Sequence, residues 1–152
     1  MEFVKWSAFE LAAPELAGAG RRLIEGEHLA FLATLRRDGA PRLHPVSPVF
    51  AGGGVYLAIP PRSPKQHDLR RDGRYALHAP LGTDDEEFVI NGVGKLDATE
   101  ATLALVRQAA SHTIRETDVI VELLIERCHW GIWEFVGQPN TQPIYRRWPG
   151  QA

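Results

Sequence analysis

Short apolar runs alternate with turn sequences in the first half of the chain. Residues 29–35 form an apolar run of β-compatible side chains, which stops at the sequence Arg36-Arg-Asp-Gly39. Because Gly39 can adopt a positive φ, this sequence is typical of a tight turn, and we predict a hairpin. The next run, residues 42–50, contains two prolines. These cannot donate to a β-ladder and therefore belong at a sheet edge, a bulge or a strand end.

A second turn leads from this run into a basic segment. The sequence Ala51-Gly-Gly-Gly54 predicts a turn, and residues 55–59 predict a strand that two following prolines terminate. Residues 62–73 are polar and basic, with a start typical of a helix, and residues 74–79 predict the next strand. A basic segment rich in hydrogen-bond donors beside an interrupted sheet favours an anion-binding site.

Helical periodicity appears at the start of the chain and again after its middle. Residues 1–27 are predicted to form a helical arm, with a helix over 15–25. A further helix is predicted over 99–113, capped by Asp97 or Thr99. Its apolar stripe is formed by Ala101, Leu105 and Ala109, beside Leu103 and Val106.

The remaining segments predict strands and an irregular end. Residues 88–96 predict a strand whose two glycines indicate a bend or a close approach by another backbone. Residues 119–136 predict two strands broken near 126–129, and residues 137–152 are expected to be an irregular tail. Six or seven strands joined mainly by tight turns favour a single mainly β domain over 1–152, an antiparallel barrel with attached helices.

Net charge, cysteine content and histidine spacing limit the partners, ligands and cellular compartments to be expected for this chain. Seventeen basic and nineteen acidic residues give a net charge of −2, which argues against nucleic-acid binding through bulk positive charge. The first twenty residues contain no continuous apolar core, so neither a signal peptide nor a membrane span is expected there. A single cysteine, Cys128, excludes an intrachain disulfide and favours a reducing, cytoplasmic compartment. The six histidines show no metal-ligand spacing, so no metal site is expected.

The order and spacing of the segments over residues 28–79 resemble the flavin mononucleotide (FMN)-binding split-barrel family typified by pyridoxamine 5′-phosphate oxidase. The resemblance rests on the sequences Phe31-Leu-Ala-Thr-Leu35, Asp38-Gly39, Pro41-Arg42, His44-Pro-Val46, Val55-Tyr-Leu-Ala-Ile59, Ser63-x-Lys65, Leu69 and Asp72. It implies a six-stranded antiparallel split β-barrel. It also implies a homodimer that binds FMN at the subunit interface, or a deazaflavin coenzyme in a subset of members.

The same resemblance implies a set of cofactor-binding residues. The strand residues Arg42, Leu43, His44, Pro45, Val46 and Ser47 would line the flavin ring and ribityl chain, and Ala58 and Ile59 would flank them. Arg62, Ser63 and Lys65 would hold the phosphate. Physical chemistry supports the last group independently, because a dianionic phosphate needs charge-assisted donors, which a lysine, a hydroxyl and a helix start supply.

The reaction is less specified than the fold. The leading hypothesis is an FMN-dependent oxidoreductase that acts on an unidentified small molecule; the alternatives are a deazaflavin-dependent reductase and a non-catalytic flavin- or haem-binding protein. No catalytic side chain is assigned. The C-terminal arginine and histidine motif of the oxidase itself is not recognisable in this sequence, which puts vitamin B6 chemistry in doubt. The tail instead contains Arg146, Arg147 and Trp148, which are candidates to reach the flavin of a partner subunit.

Overall fold

The computed structural model describes residues 2–96 and 98–150. Among these residues it contains four α-helices, one short 3₁₀ turn (Thr83–Asp85) and eight β-strands. The helices are α1 (Trp6–Ala12), α2 (Pro14–Glu27), α3 (Pro64–Arg71) and α4 (Glu100–Ala109). The strands are β1 (Ala30–Leu35), β2 (Pro41–Val46), β3 (Val49–Ala51), β4 (Gly54–Ile59), β5 (Arg74–His78), β6 (Glu87–Lys95), β7 (Val119–Glu134) and β8 (Gln142–Trp148).

All eight strands belong to one antiparallel sheet that does not close. The strand order is β2-β1-β5-β6-β7-β4-β3, and β8 pairs with the far part of β7. The strands β2 and β3 therefore lie at opposite edges, although only Ser47 and Pro48 separate them in sequence. Because so short a connection spans about 11 Å at most, the sheet must curl until one end of each edge meets the other.

The predicted hairpin and glycine turns are confirmed. Gly39 adopts a φ of +84°, and the register pairs Leu35 with Pro41 across the β1–β2 turn. In β6 the register shifts between Asn91 and Gly92. A Cβ atom on Gly92 would lie 1.8 Å from the carbonyl oxygen of Leu124, which confirms the predicted close approach by another backbone.

Aromatic side chains join the two N-terminal helices to the core of the sheet. Trp6 and Phe9 of α1 are buried, and the ring centroids of Trp6 and Phe50 lie 4.9 Å apart. Gly20 of α2 lies directly against the buried ring of Phe88. Through these contacts the two helices pack against β4, β6 and β7.

Two expectations for the C-terminal half are wrong. Residues 119–134 form one continuous strand rather than two, because β7 pairs in turn with β4, β6 and β8. The supposed irregular tail contains β8, which pairs with β7 from Cys128–Trp148 to Glu134–Gln142. Pro143 is tolerated there because β8 pairs with β7 alone, so that a missing N–H can face away from the ladder. These two changes offset each other in the strand count, and the described residues reach eight strands because the run over 42–50 forms two strands, β2 and β3.

The predicted stripe of α4 is also wrong. Thr99 caps the helix, with its hydroxyl accepting a hydrogen bond from the Thr102 N–H at 3.2 Å, whereas Asp97 lies outside the described residues. Val106 is buried and Leu103 packs beside it, but Leu105 is 48% exposed. The helix thus turns a different side toward β3 and β4 than the alanine-rich stripe indicated.

Candidate functional site

The edge strand β2 presents two different faces. Arg42 and His44 are half-buried, whereas Leu43 and Pro45 are exposed, as the alternation of a strand requires. The prediction that the proline-bearing run lies at a sheet edge is confirmed, although the run forms two edge strands, β2 and β3, rather than one. An edge position lets β2 contribute unpaired backbone groups as well as side chains to a ligand.

The start of α3 lies on the inner side of β2. Ser63 occupies the N-cap position in an extended conformation, and Pro64 follows at the first helical position, where its missing N–H has no cost. The Lys65 ammonium donates a hydrogen bond to the Ser63 hydroxyl at 2.9 Å. Burial lowers the pKa of Lys65. A partly desolvated cation beside a helix start is a suitable place for an anion.

Asp68 fastens α3 to the first two strands. Its buried carboxylate accepts hydrogen bonds from Arg42 Nε at 2.7 Å, Thr34 Oγ1 at 2.9 Å and Arg71 Nη2 at 3.2 Å. Burial on its own raises the pKa of Asp68, but the hydrogen bonds from Arg42, Thr34 and Arg71 outweigh it and hold the pKa below its usual value. The Arg42 guanidinium is therefore fixed in position by a permanent counter-ion.

His44 lies between these charged groups. Burial, followed by the charges of Lys65 and Arg42, lowers the pKa of His44, so the imidazole is neutral at pH 7. Its Nε2 atom is buried and has no hydrogen-bond partner among residues 2–96 and 98–150. A buried polar atom without a partner is costly in a folded protein, and a bound ligand would remove that cost.

The structure brings together four of the predicted side chains and separates others. Arg42, His44, Ser63 and Lys65 surround the start of α3, and Arg62 is exposed next to them. The side chains of Val46 and Ile59 are buried in the core, so only their backbone atoms can reach a ligand. The other predicted residues do not join this group. Leu43 and Pro45 face outward, whereas Ser47 lines a small cavity beside α4 and Ala58 packs against the apolar cluster beneath α4.

Sequence reasoning missed Thr34 and Asp68. Nothing in the sequence separates Asp68 from the other charges of its polar segment, because its burial depends on the docking of α3 against β1. One signal was available. Lys65, Asp68 and Leu69 fall on one side of a helix, and Leu69 is the only aliphatic residue of that segment.

Two adjacent cavities lie beside β6 and β7. One, of about 360 Å³, is lined by residues of β1, β5 and β6, including Ala33 and Ala76. The other, of about 540 Å³, is lined by His129, Arg147 and Trp148, and the two share Asn91, Glu126 and Arg127. The tail residues that were candidates to reach a partner subunit thus border an open cavity, except Arg146, which pairs with Glu15.

The outward side of the β2 end is largely apolar. The strand register places Leu43, Ala33 and Ala76 in one row, and Pro45, Phe31, His78 and Val89 in the next. We call these seven residues the outer face. Leu43 is 69% exposed and Phe31 39% exposed. They adjoin the cofactor-site candidates, because Leu43 and Pro45 alternate with Arg42 and His44 along β2.

Solved structures with the same fold come from several bacteria. A Clostridium acetobutylicum protein related to general stress protein 26 aligns with a TM-score of 0.65 at 11% identity, over 90% of this chain and 96% of its own. A NimC/NimA family protein from the same organism aligns with a TM-score of 0.64 at 14% identity, over 91% of this chain and 99% of its own. A haem-binding protein from Mycobacterium smegmatis aligns with a TM-score of 0.59 at 18% identity, over 83% of this chain and 57% of its own. No curated protein sequence matches the chain significantly.

The antiparallel sheet with its attached helices and these structural neighbours define a protein of the split-barrel class. The sequence model for pyridoxamine 5′-phosphate oxidase matches residues 16–124, which is more than half of the chain, so the protein belongs to the pyridoxamine 5′-phosphate oxidase family. Within the part of the chain that the structure describes, no helix is both long and apolar enough to cross a lipid bilayer.

Proposed function

We propose that the protein binds FMN between β2 and the start of α3 and acts as a flavin-dependent oxidoreductase on a small molecule. The observation that carries the proposal is the grouping of Lys65, Ser63 and His44, with the buried Nε2 atom of His44 left without a partner. The donor set fits the group: an ammonium, a hydroxyl and a helix start suit a phosphate, and a neutral imidazole suits the polar edge of a flavin. Membership of the family supports the same cofactor.

The residues of the chain have positioning roles in this proposal. FMN, when bound, supplies the hydride or electron transfer. Lys65 and Ser63 hold the phosphate, and the Asp68 carboxylate keeps the Arg42 guanidinium in place at 2.7 Å. His44 stays neutral at pH 7 because burial and two neighbouring cations lower its pKa, so it offers one donor or one acceptor without adding charge.

The proposal includes a homodimer with the cofactor at the subunit interface. The outer face carries the exposed apolar side chains of Leu43 and Phe31, and exposed apolar surface is a candidate for contact with another protein. Its residues alternate with the cofactor-site residues along β2. A second copy of the chain that covers the outer face and the free edge of β2 would also border the site, which lies on the other face of this edge strand. Arg147 pairs with His129, which in turn pairs with Val89 of the outer face, so Arg147 would be the tail residue that meets such a partner. Trp148 instead packs against Phe9 and the core. The same proposal includes a cytoplasmic location, which the single buried cysteine supports.

One observation favours haem as a second candidate ligand. His129 borders the cavity of about 540 Å³, and its Nε2 atom lies 2.9 Å from Glu87 Oε1. A carboxylate on one imidazole nitrogen orients the other nitrogen as a metal ligand. Arg147 on the same cavity suits a propionate, and the similar Mycobacterium smegmatis structure is a haem-binding protein.

The absorbance spectrum of the purified protein distinguishes these ligands. Flavin bands, with release of FMN on denaturation, support the proposal, and a Soret band supports haem. Binding of a deazaflavin coenzyme without retention of FMN supports the related reductase. Retained cofactor without turnover by NAD(P)H or oxygen supports a binding protein.

Substitution of Lys65 tests the phosphate site directly. Lys65→Ala is expected to weaken FMN binding by about 1.5 to 3 kcal/mol, the value of a hydrogen bond to a charged group, and to leave riboflavin binding nearly unchanged. Fluorescence titration with both ligands measures this difference. Lys5→Ala, which removes an exposed lysine at the start of α1, is the control with the same change of charge. An equal loss for both flavins would show that Lys65 does not contact the phosphate.

A further inference from the structure

Two turns of the chain place four arginines around one open depression. The β1–β2 turn contributes Arg36 and Arg37, and the end of α3 with the start of β5 contributes Arg71 and Arg74. We call this surface the arginine depression. Its other lining residues are Leu35, Gly39, Asp72 and Gly73, so its walls carry four cations and one carboxylate. A local excess of positive charge stands out on a chain whose net charge is −2.

Hydrogen bonds hold both turns in place. Within the β1–β2 turn, the Gly39 N–H donates to the Arg36 carbonyl oxygen at 2.9 Å. Arg71 joins the two turns, because its Nη2 atom donates to the carbonyl oxygen of Leu35 and to Asp68 Oδ1. These contacts fix the backbone on both sides of the depression, so the arginines are attached to a rigid base.

The four arginines differ in how far their charge is compensated. Arg74 donates to Asp72 from Nε and Nη2, and these hydrogen bonds lower the pKa of Asp72 to about 2. Arg36 and Arg37 make no ion pair with any residue of 2–96 or 98–150. The charge of Arg36 also contributes to lowering the pKa of His44, so the depression adjoins the candidate cofactor site.

We propose that the arginine depression binds the diphosphate group of a second ligand, a small molecule other than the cofactor itself. Guanidinium groups present planar pairs of donors that match phosphate oxygens, and several arginines on one concave surface suit more than a single phosphate. Lys65 lies in the first turn of α3 and Arg71 is its last residue, so their backbones are separated by about 9 Å along the helix axis. The depression is therefore a separate anion site, and it does not depend on the proposed flavin chemistry.

Titration with inorganic pyrophosphate tests the site. Isothermal calorimetry of the full chain saturated with FMN, in which the Lys65 site is occupied, is expected to show one saturable binding event, and the same event is expected in the chain without FMN. Orthophosphate is expected to bind more weakly because it engages fewer guanidinium groups. The double variant Arg36→Gln/Arg37→Gln is expected to lose at least tenfold in pyrophosphate affinity. Both residues are exposed and make no ion pair in the part of the chain that is described, so the fold is retained.

A second double variant controls for the change of net charge. Arg107→Gln/Arg115→Gln removes two exposed arginines at the end of α4 and in the loop before β7, and it is expected to bind pyrophosphate as the unmodified chain does. Equal affinities of the two double variants would overturn the proposal. Loss of pyrophosphate binding on saturation with FMN would also overturn it, because the anion would then occupy the Lys65 site. Failure of FMN to bind, with pyrophosphate still bound through Arg36 and Arg37, would refute the proposed cofactor alone.

Discussion

At the scale of single residues, Asp68 determines the geometry of the candidate site. Its carboxylate is buried and receives hydrogen bonds from three side chains on β1, β2 and α3. We expect Asp68→Asn to lower the free energy of unfolding by about 3 to 5 kcal/mol, since removal of one partner from a buried ion pair leaves the other uncompensated. Urea denaturation at pH 7 measures this change.

The pH dependence of that loss gives a second readout. Because the pKa of Asp68 lies below its usual value of 3.8, the carboxylate stabilises the fold fully above that value and loses its contribution as the pH falls through the lowered pKa. The difference between Asp68→Asn and the unmodified chain should therefore be constant near neutrality and shrink in acid. Asp38→Asn, at an exposed turn position, should change stability by less than about 0.5 kcal/mol. A difference that persists unchanged into acid would contradict this account of Asp68.

The sequence predicted the cationic residues of the site, but neither Asp68 nor the contacts among these residues. Lys65 and Ser63 could be found because a lysine and a hydroxyl at a helix start form a local pattern, with two residues of separation. Asp68 contacts Arg42 and Thr34, which are 26 and 34 residues away, and only the docking of α3 creates those contacts. The partnerless Nε2 atom of His44 depends on burial and is equally invisible in the sequence.

At the scale of elements, two glycines of α2 differ in the space available for a side chain. A Cβ atom on Gly20 would lie 2.2 Å from the ring of the buried Phe88, whereas one on Gly18 would have no neighbour within 4 Å. Gly20→Ala should therefore destabilise the protein by about 1 to 3 kcal/mol through overpacking. Gly18→Ala should stabilise it by about 0.5 to 1 kcal/mol, because alanine has the higher helix propensity.

Thermal and urea denaturation of the two variants compare them directly. Both positions lie in the same helix and receive the same methyl group, so intrinsic propensity is matched and only packing differs. Similar stability of the two variants would show that α2 shifts away from Phe88 at little cost. That result would contradict close packing of α2 against β6.

Strands joined by tight turns could be predicted from the sequence, whereas a strand that forms only by pairing with a distant strand could not. The β1–β2 hairpin follows from the Asp-Gly turn sequence, and its register is confirmed from Leu35–Pro41 to Ala30–Val46. By contrast, the strand β8 contains a proline and forms only because β7 extends far enough to pair with it. The prediction of the α4 stripe was wrong for the same reason. Alanines and leucines occur on all sides of that helix, and its packing against β3 determines which side is buried.

At the scale of the whole molecule, the sheet does not close and its outer face remains apolar. The rows that contain Leu43 and Phe31 run across adjacent strands of the β2 end. If two copies associate through this face, they bury apolar area and bring the two cofactor sites to the interface. Oligomeric state and cofactor retention are then coupled, because each site has one side supplied by the partner.

The double variant Leu43→Asp/Phe31→Asp tests this coupling. Both side chains are exposed in the single chain, so the fold should be retained, while two buried charges in each protomer should prevent association. Analytical ultracentrifugation at micromolar concentration should show a dimer for the unmodified chain and a monomer for the variant, with FMN affinity reduced at least tenfold. Leu11→Asp, at a leucine on α1 that is 86% exposed, is the control and should leave both properties unchanged. A dimeric double variant, or a monomeric variant that keeps full FMN affinity, would show that the outer face does not complete the cofactor site.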